Sequence, residues 1–338
     1  MKEEKSRDKQ APIHKPEFDP EGQRLPKSNQ TFCMAPWTHT YISPQSERRL
    51  CCASREQHSF IQQYIDKDSQ ASKTEYAPET LKQHWNSPFL KSVRAKMLRG
   101  EKVSECEVCD EQILNLGTYR AWFTHFLFKD KIDEAFAKTA EDGSTTMEPI
   151  SFDYRINNSC NFKCRMCGHQ LSSAWEAELR REKAWDPKND VWMTEGLNRQ
   201  ITDFQKNTVE LELRNALRTG SVEEIYWVGG EPLMWEFHWQ EMKKLVDEGK
   251  AGNLYCRYNT NLSRIEWKGI HLFKDILPQV KDYIMCCSVD ATEEVGEWIR
   301  TGLQWDRWLE NFQTGLEVPG RRDRMKLDLT LTLPGLLD

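Results

Sequence analysis

Cys160, Cys164 and Cys167 lie in one short stretch with the spacing Cys-x3-Cys-x2-Cys. Thiolates at this spacing can ligate three irons of a [4Fe-4S] cluster and leave the fourth iron open to a ligand. The same thiols could instead belong to a zinc site that His169 completes, although zinc sites more often pair two-residue knuckles. The spacing therefore favours an iron-sulfur cluster, with zinc as the alternative.

The flanking sequence predicts where this cysteine loop lies. Residues 151–155 alternate in polarity and favour a β-strand, and the stretch after Gly168 has the pattern of a helix start. The loop is therefore expected where a strand ends. Ligands bind at that edge of α/β barrels.

Further strands are predicted downstream, each followed by polar or glycine residues. Residues 224–228 form a buried-strand pattern that runs into residues 229–231, Gly-Gly-Glu. Glycines allow the backbone to approach a ligand closely, and the Glu231 carboxylate can accept a hydrogen bond from an ammonium group. Residues 254–258 and 283–290 contain two more predicted strands.

The cysteine loop followed by the Gly-Gly-Glu turn resembles the radical S-adenosylmethionine (SAM) superfamily. The resemblance implies an α/β fold, a partial (β/α)6 barrel, with a [4Fe-4S] cluster and SAM as cofactors. It also implies reductive cleavage of SAM to methionine and a 5′-deoxyadenosyl radical that abstracts hydrogen from a substrate. Members often carry an aromatic residue just before the third cysteine, where this chain has Met166.

The same resemblance implies a set of cofactor contacts, with Ser288 and Asp290 near the ribose and Arg300 near the cofactor carboxylate or the substrate. Ordinary structural roles are the alternative for residues of these types, because asparagines cap turns and a lone arginine on a helix is usually a solvated charge. No catalytic side chain is identified. The implied cofactor-binding residues are Met166, Gly229, Gly230, Glu231, Asn259, Asn261, Ser288, Asp290 and Arg300.

Five cysteines precede the predicted barrel: Cys33, Cys51, Cys52, Cys106 and Cys109. A hairpin from residues 38–42 to residues 50–52 would bring Cys33 near Cys51 or Cys52, of which one is expected to face the same site because adjacent strand residues point to opposite faces. Cys106 and Cys109 form a two-residue knuckle. Four sulfurs are the complement of a closed metal site.

This segment resembles the twitch or SPASM-type auxiliary domains of radical enzymes, which bind an additional iron-sulfur cluster. The usual position of such a domain is after the barrel, and the glycine expected in the hairpin turn is missing here. Structural zinc at the same four cysteines is the rival interpretation, because four thiolates suit either metal.

The chain is predicted to consist of a disordered polar N-terminus (residues 1–30), a twitch-like α+β auxiliary region (31–122), a helical linker (123–148) and the barrel (149–338). Two helices are expected within residues 171–218. Residues 325–332 have the pattern of a fifth strand, after which the chain ends. The expected barrel therefore lacks its last strand, so the C-terminus is interpreted as truncated or abnormal.

The 338 residues include 47 Lys and Arg against 53 Asp and Glu, a formal net charge of −6. This balance argues against a generic nucleic-acid surface. No apolar run approaches the roughly 18 residues of a membrane span. The absence of a signal-peptide pattern and the eleven cysteines favour metal ligation in the cytoplasm over a disulfide framework.

Members with auxiliary domains often act on peptides, so a peptide or protein is the first predicted substrate class. The expected partners are that substrate, or a small molecule, and an electron donor such as a flavodoxin or ferredoxin. Two alternatives remain open: a radical enzyme that acts on a small metabolite or nucleotide, and a non-catalytic metal-binding interaction protein.

Overall fold

The computed structural model describes residues 15–18, 29–54, 65–66, 71–72, 78–111 and 118–338. The expectation of a disordered N-terminus falls almost wholly outside these residues. The chain divides into two compact units: unit 1 comprises Met1–His39, Leu50–Glu56 and Lys82–Glu148, and unit 2 comprises Thr40–Arg49, Gln57–Leu81 and Pro149–Asp338.

Unit 1 is built largely from short helices: α1 (Ala35–Thr38), α2 (Leu81–Trp85), α3 (Pro88–Leu98), α4 (Glu107–Glu111), α5 (Tyr119–Ala121) and α6 (Ile132–Ala137). The longest of these helices, α3, begins after Ser87 with residues that favour the start of a helix. Ser87 accepts a hydrogen bond from the Leu90 backbone N–H at 3.3 Å, and proline occupies the first turn, which suits the start of a helix. Gly100, with φ +73°, follows its end.

The predicted helical linker at residues 123–148 packs inside unit 1 rather than standing apart from it. It contains a π-helical turn, Trp122–Leu127, and α6. Phe123, Phe128 and Ala135 are each buried. Their burial places this segment in the core of the unit.

Unit 2 contains the central sheet. Its strands are β1 (His39–Ile42), β2 (Arg48–Arg49), β5 (Ser151–Tyr154), β7 (Glu224–Trp227), β8 (Tyr255–Thr260), β11 (Asp282–Ser288) and β13 (Met325–Asp328), in the order β13-β11-β8-β7-β5-β1-β2. From β5 to β13 the neighbours are parallel. The short pairs are β3 (Ile65–Asp66) with β4 (Ala71–Ser72), β6 (Lys163–Cys164) with β12 (Arg300–Thr301), and β9 (Glu266–Trp267) with β10 (Ile270–His271).

The predicted hairpin forms, but its return strand is displaced. Strand β2 ends at Arg49, so Cys51 and Cys52 lie beyond the paired strands. The turn needs no glycine because Ser46 adopts a left-handed φ of +65°.

Helices connect the parallel strands: α7 (Ser173–Glu182), α8 (Glu195–Phe204), α9 (Glu210–Thr219), α10 (Glu236–Asp247), α11 (Glu293–Ile299) and α12 (Trp305–Leu316). Two helical stretches join β5 to β7, as expected: α7, and α8 continued through a π-helical turn at Gln205–Val209 into α9. Alternate side chains of β8 and β11 are buried, including Tyr258 and Tyr283. This mostly parallel α/β architecture agrees with the predicted class.

The fifth predicted strand is shorter than residues 325–332. Strand β13 stops at Asp328, and the Thr330 backbone N–H donates to Asp290 Oδ1 at 2.9 Å instead of continuing the ladder. Thr332 then caps a last helix, α13 (Leu333–Leu337), by accepting from the Gly335 N–H. Among the described helices, none is both long and apolar enough to cross a membrane.

Candidate functional site: a cysteine loop at the sheet edge

The cysteine loop follows β5 and is fixed by pairing with a distant segment. Strand β6 contains Cys164, which lies in antiparallel register with Arg300 of β12. The Cys167 N–H donates to the Cys164 carbonyl at 3.0 Å, and the Phe162 N–H lies 3.5 Å from Cys160 Sγ. Cys164 is buried, whereas Cys160 and Cys167 are half-buried.

The three thiols share one electrostatic environment. Burial raises the pKa of Cys160 to about 12, the Phe162 N–H opposes this, and the charges of Glu231, Cys164 and Cys167 add to it. Burial also raises the pKa of Cys164 and of Cys167. Thiolates are soft ligands that suit a cationic metal centre.

A buried ion pair faces this loop. Arg300 Nε lies 2.7 Å from Asp290 Oδ2, and Arg300 Nη2 donates to Asp290 Oδ1 at 2.9 Å. Arg300 Nη1 lies 3.7 Å from Cys164 Sγ, and its charge lowers the pKa of Cys164 against the effect of burial. The sequence suggested contacts with the cofactor or substrate for both residues, but missed their contact with each other and that of Arg300 with a thiol.

The glycine turn packs against the backbone that leads into Cys160. A Cβ on Gly230 would lie 2.3 Å from the Ser159 carbonyl oxygen and 2.6 Å from the Asn158 carbonyl carbon. The Glu231 N–H donates to the Ser159 carbonyl at 2.6 Å. Gly229 has φ +138°, a region that favours glycine. The two glycines thus serve close backbone packing within the site.

The Glu231 side chain is buried and fully engaged. Its Oε1 accepts from Thr260 Oγ1 at 2.6 Å and from the Leu233 N–H at 3.0 Å, and its Oε2 accepts from the Asn261 N–H at 2.6 Å. Burial raises the pKa of Glu231 to about 7, although these donors oppose the rise. These contacts make Glu231 a brace between the glycine turn and the end of β8, a role that sequence reasoning missed.

The two predicted asparagines differ in their surroundings. Asn261 Nδ2 lies 3.9 Å from Cys160 Sγ and donates to Asn161 Oδ1 at 3.0 Å, so Asn261 contacts the cysteine loop from the end of β8. Asn259 instead hydrogen-bonds Tyr226 and Asp328 across the ends of the strands.

Ser288 and Met166 are the remaining two residues predicted to contact the cofactor. Ser288 ends β11 in register with Asp328. Met166, within the cysteine loop, exposes 38% of its surface, which leaves it accessible to a ligand.

The comparison with known families covers this half of the chain. Residues 154–338 match the model of the radical SAM superfamily. The chain belongs to the radical SAM superfamily. It is therefore a radical SAM enzyme, for which the family implies a [4Fe-4S] cluster and SAM. No curated protein and no solved structure matched the chain.

Outside the span that matches the radical SAM family, unit 1 gathers a second set of cysteines. Its cavity is lined by residues that include Cys33, Cys51, Cys106 and Cys109, whereas Cys52 does not line it. Burial raises the pKa of Cys51 and of Cys106, and the neighbouring thiols add to both shifts.

A buried cation accompanies these thiols as well. Arg120 lines the same cavity and pairs with Asp110 at 2.6 Å, and its charge lowers the pKa of Cys106 against the effect of burial. Among the described residues, no group of three or more His, Cys, Asp or Glu side chains is arranged to hold a metal ion in this conformation.

Proposed function

We propose that this chain holds a [4Fe-4S] cluster through Cys160, Cys164 and Cys167, cleaves SAM reductively and abstracts hydrogen from a peptide or protein. The observation that carries the proposal is the placement of Cys160, Cys164 and Cys167 in one loop of the matched domain, with the Arg300 guanidinium 3.7 Å from Cys164 Sγ. When bound, the cluster would supply the electron that reductive cleavage of the SAM sulfonium requires.

The chain's own residues would orient and shield this chemistry. Arg300 would offset part of the negative charge of the thiolates, while Glu231 and Gly230 hold the turn against the loop. The exposed Met166 and the polar Asn261 would lie next to the bound SAM. The parallel strands β5 to β13 would form the partial barrel that supports them.

An auxiliary iron-sulfur cluster in unit 1 is the second part of the proposal. Cys33, Cys51, Cys106 and Cys109 line one cavity, and Arg120 supplies a counter-charge there. Four thiolates also suit zinc, so metal analysis decides between the two. A twitch-like auxiliary region is the closest functional interpretation of this unit.

A peptide or protein is the proposed substrate class, and a flavodoxin or ferredoxin is the proposed electron donor. The expected location is the cytoplasm, where thiols remain reduced. The resemblance of unit 1 to auxiliary domains supports the choice of a peptide.

Anaerobic reconstitution with iron and sulfide tests both metal sites. Cys109→Ala should lose part of the bound iron and retain the change that SAM causes in the electron paramagnetic resonance spectrum of the reduced protein. Cys164→Ala should lose that change. Cys256→Ala, at a fully buried position in β8, is the matched control and should keep both.

A wild type that binds zinc, and loses it in Cys109→Ala, would replace the auxiliary cluster by a structural zinc site. A Cys164→Ala variant with an unaltered spectrum and an unaltered response to SAM would refute the proposed SAM site.

A further inference from the structure

A cavity of about 200 Å³ lies beside the cysteine loop within unit 2. Among its polar lining residues, Asn161 belongs to the cysteine loop, whereas Ser263, Arg264, Gln304 and Arg307 have no role in the proposed SAM site. Gly302 forms part of its wall, where a Cβ would lie 2.8 Å from Phe162 Cδ1 and 2.9 Å from the Asn161 carbonyl oxygen. The polar lining includes Asn161, Ser263, Arg264, Gln304 and Arg307.

The cavity contains two cations that lack an ion-pair partner among the residues the structure describes. Arg264 is half-buried and Arg307 is exposed. The charge of Arg264 lowers the pKa of Glu231 slightly against burial, but the Glu231 carboxylate already accepts three hydrogen bonds from its own unit. Two guanidinium groups in one cavity repel each other unless an anion lies between them.

A buried donor lines the same cavity. Trp308 is 3% exposed, and its Nε1 has no acceptor within the described part of the chain. Buried indole N–H groups normally have a partner. The Trp308 ring forms part of the cavity wall, so a ligand there would change its surroundings.

The helix that carries Trp308 starts beside the cavity. Helix α12 begins next to Gln304, whose side chain forms no cap. Its first backbone donor, the Trp305 N–H, is satisfied by Glu297 at 2.9 Å. The Glu297 carboxylate and Asp306 in the first turn already supply negative charge at this end of the helix, so the anion site rests on the two arginines.

We propose that this cavity binds a carboxylate or phosphate group of the substrate, next to the cysteine loop. Arg264 and Arg307 would pair with the anion, and the Trp308 ring would form part of the wall beside it. Phe162, Leu303 and Met234 also line the cavity, and they suit an apolar portion adjacent to the charged group. The inference rests on the proposed function, which it narrows to substrates with an anionic group.

Inorganic phosphate is the probe for a direct test on the full chain. Phosphate binding should raise the thermal unfolding midpoint of the wild type relative to chloride at equal ionic strength. The double variant Arg264→Gln/Arg307→Gln should bind phosphate at least about tenfold more weakly, a difference of about 1.4 kcal/mol, because it lacks both guanidinium groups that would pair with the anion. The matched control, Arg199→Gln/Arg322→Gln, removes the same charge elsewhere and should bind like the wild type.

A second readout follows Trp308 itself. In protein labelled with 5-fluorotryptophan, the Trp308→Phe variant identifies the Trp308 signal in the fluorine spectrum. Phosphate should shift that signal in the wild type and in the control, but not in the double variant. Absence of a shift and of thermal stabilisation in the wild type would overturn the proposal, as would equal phosphate affinity in the double variant.

The carboxylate of SAM is the other possible source of the anion. If the cavity receives the substrate, the double variant should keep the wild-type affinity for SAM, and phosphate should not compete with SAM. A tenfold loss of SAM affinity together with competition would overturn the assignment to the substrate. Because phosphate binding is read without turnover, a wild type that binds phosphate but forms no 5′-deoxyadenosine would refute the proposed function and still support the anion site.

Discussion

Replacement of Gly230 by alanine should destabilise unit 2 by about 2 to 4 kcal/mol and disturb the cysteine loop. The new Cβ would lie 2.3 Å from the Ser159 carbonyl oxygen, and real Cβ atoms essentially never approach closer than 3.0 Å. The difference, 3.0 − 2.3 = 0.7 Å, must be supplied by the backbone, because the contacted atoms belong to the main chain.

The magnitude follows from two effects. Forcing extra volume into a packed region costs about 1–3 kcal/mol. The shift would also weaken the hydrogen bonds from the Gly230 N–H to the Asn157 carbonyl (3.3 Å) and from the Glu231 N–H to the Ser159 carbonyl (2.6 Å), each worth about 0.5–1.5 kcal/mol. Partial loss of both bonds brings the sum to the stated range.

Urea unfolding and iron content after reconstitution are the assays. The midpoint should fall in Gly230→Ala, and less iron should bind at the displaced Cys160 loop. Gly196→Ala is the control because no atom lies within 4 Å of its added Cβ, and alanine in a helix should stabilise it by about 0.5–1 kcal/mol. Equal midpoints and iron contents in Gly230→Ala and wild type would refute the packing argument.

Two further predictions concern buried charge. Asp290→Ala should destabilise the fold by about 3–5 kcal/mol, because it leaves Arg300 buried without its partner. In urea unfolding, the double variant Arg300→Met/Asp290→Ala should recover part of this lost stability. A double variant no more stable than Asp290→Ala would contradict this prediction. The second concerns His238, whose pKa burial lowers from 6.5 to about 3. Its neutral form stabilises the fold fully above pH 6.5, and this contribution falls by about 1.4 kcal/mol per pH unit as pH drops toward 3. Unfolding free energies measured from pH 7 to 5 should therefore decline less in His238→Gln, and parallel declines would exclude the assigned shift.

The strands of unit 2 could be predicted because their local patterns agree with their final burial. In β11, Tyr283, Met285 and Cys287 are buried at alternate positions, which is the period that a strand imposes. The cysteine loop could be located because three cysteines at a spacing typical of metal binding lie within one short segment. Both inferences need only residues close together in sequence.

The contacts across the site could not be predicted in the same way. The Arg300 to Cys164 approach joins residues 136 positions apart, and no periodicity specifies such a pairing. The shortening of β13 depends on Asp290, which accepts from Thr330. The turn of the hairpin includes Ser46 with a positive φ, a conformation that a non-glycine residue seldom signals.

Formation of 5′-deoxyadenosine from SAM is the measurement that tests the central claim most directly. The anaerobically reconstituted chain, given a strong reductant, should produce 5′-deoxyadenosine and methionine in equal amounts. Cys164→Ala should abolish both products, whereas Cys109→Ala should retain some cleavage because its thiol lies in unit 1. Fully reconstituted wild type that forms no 5′-deoxyadenosine, or Cys164→Ala that cleaves SAM at the wild-type rate, would contradict the account.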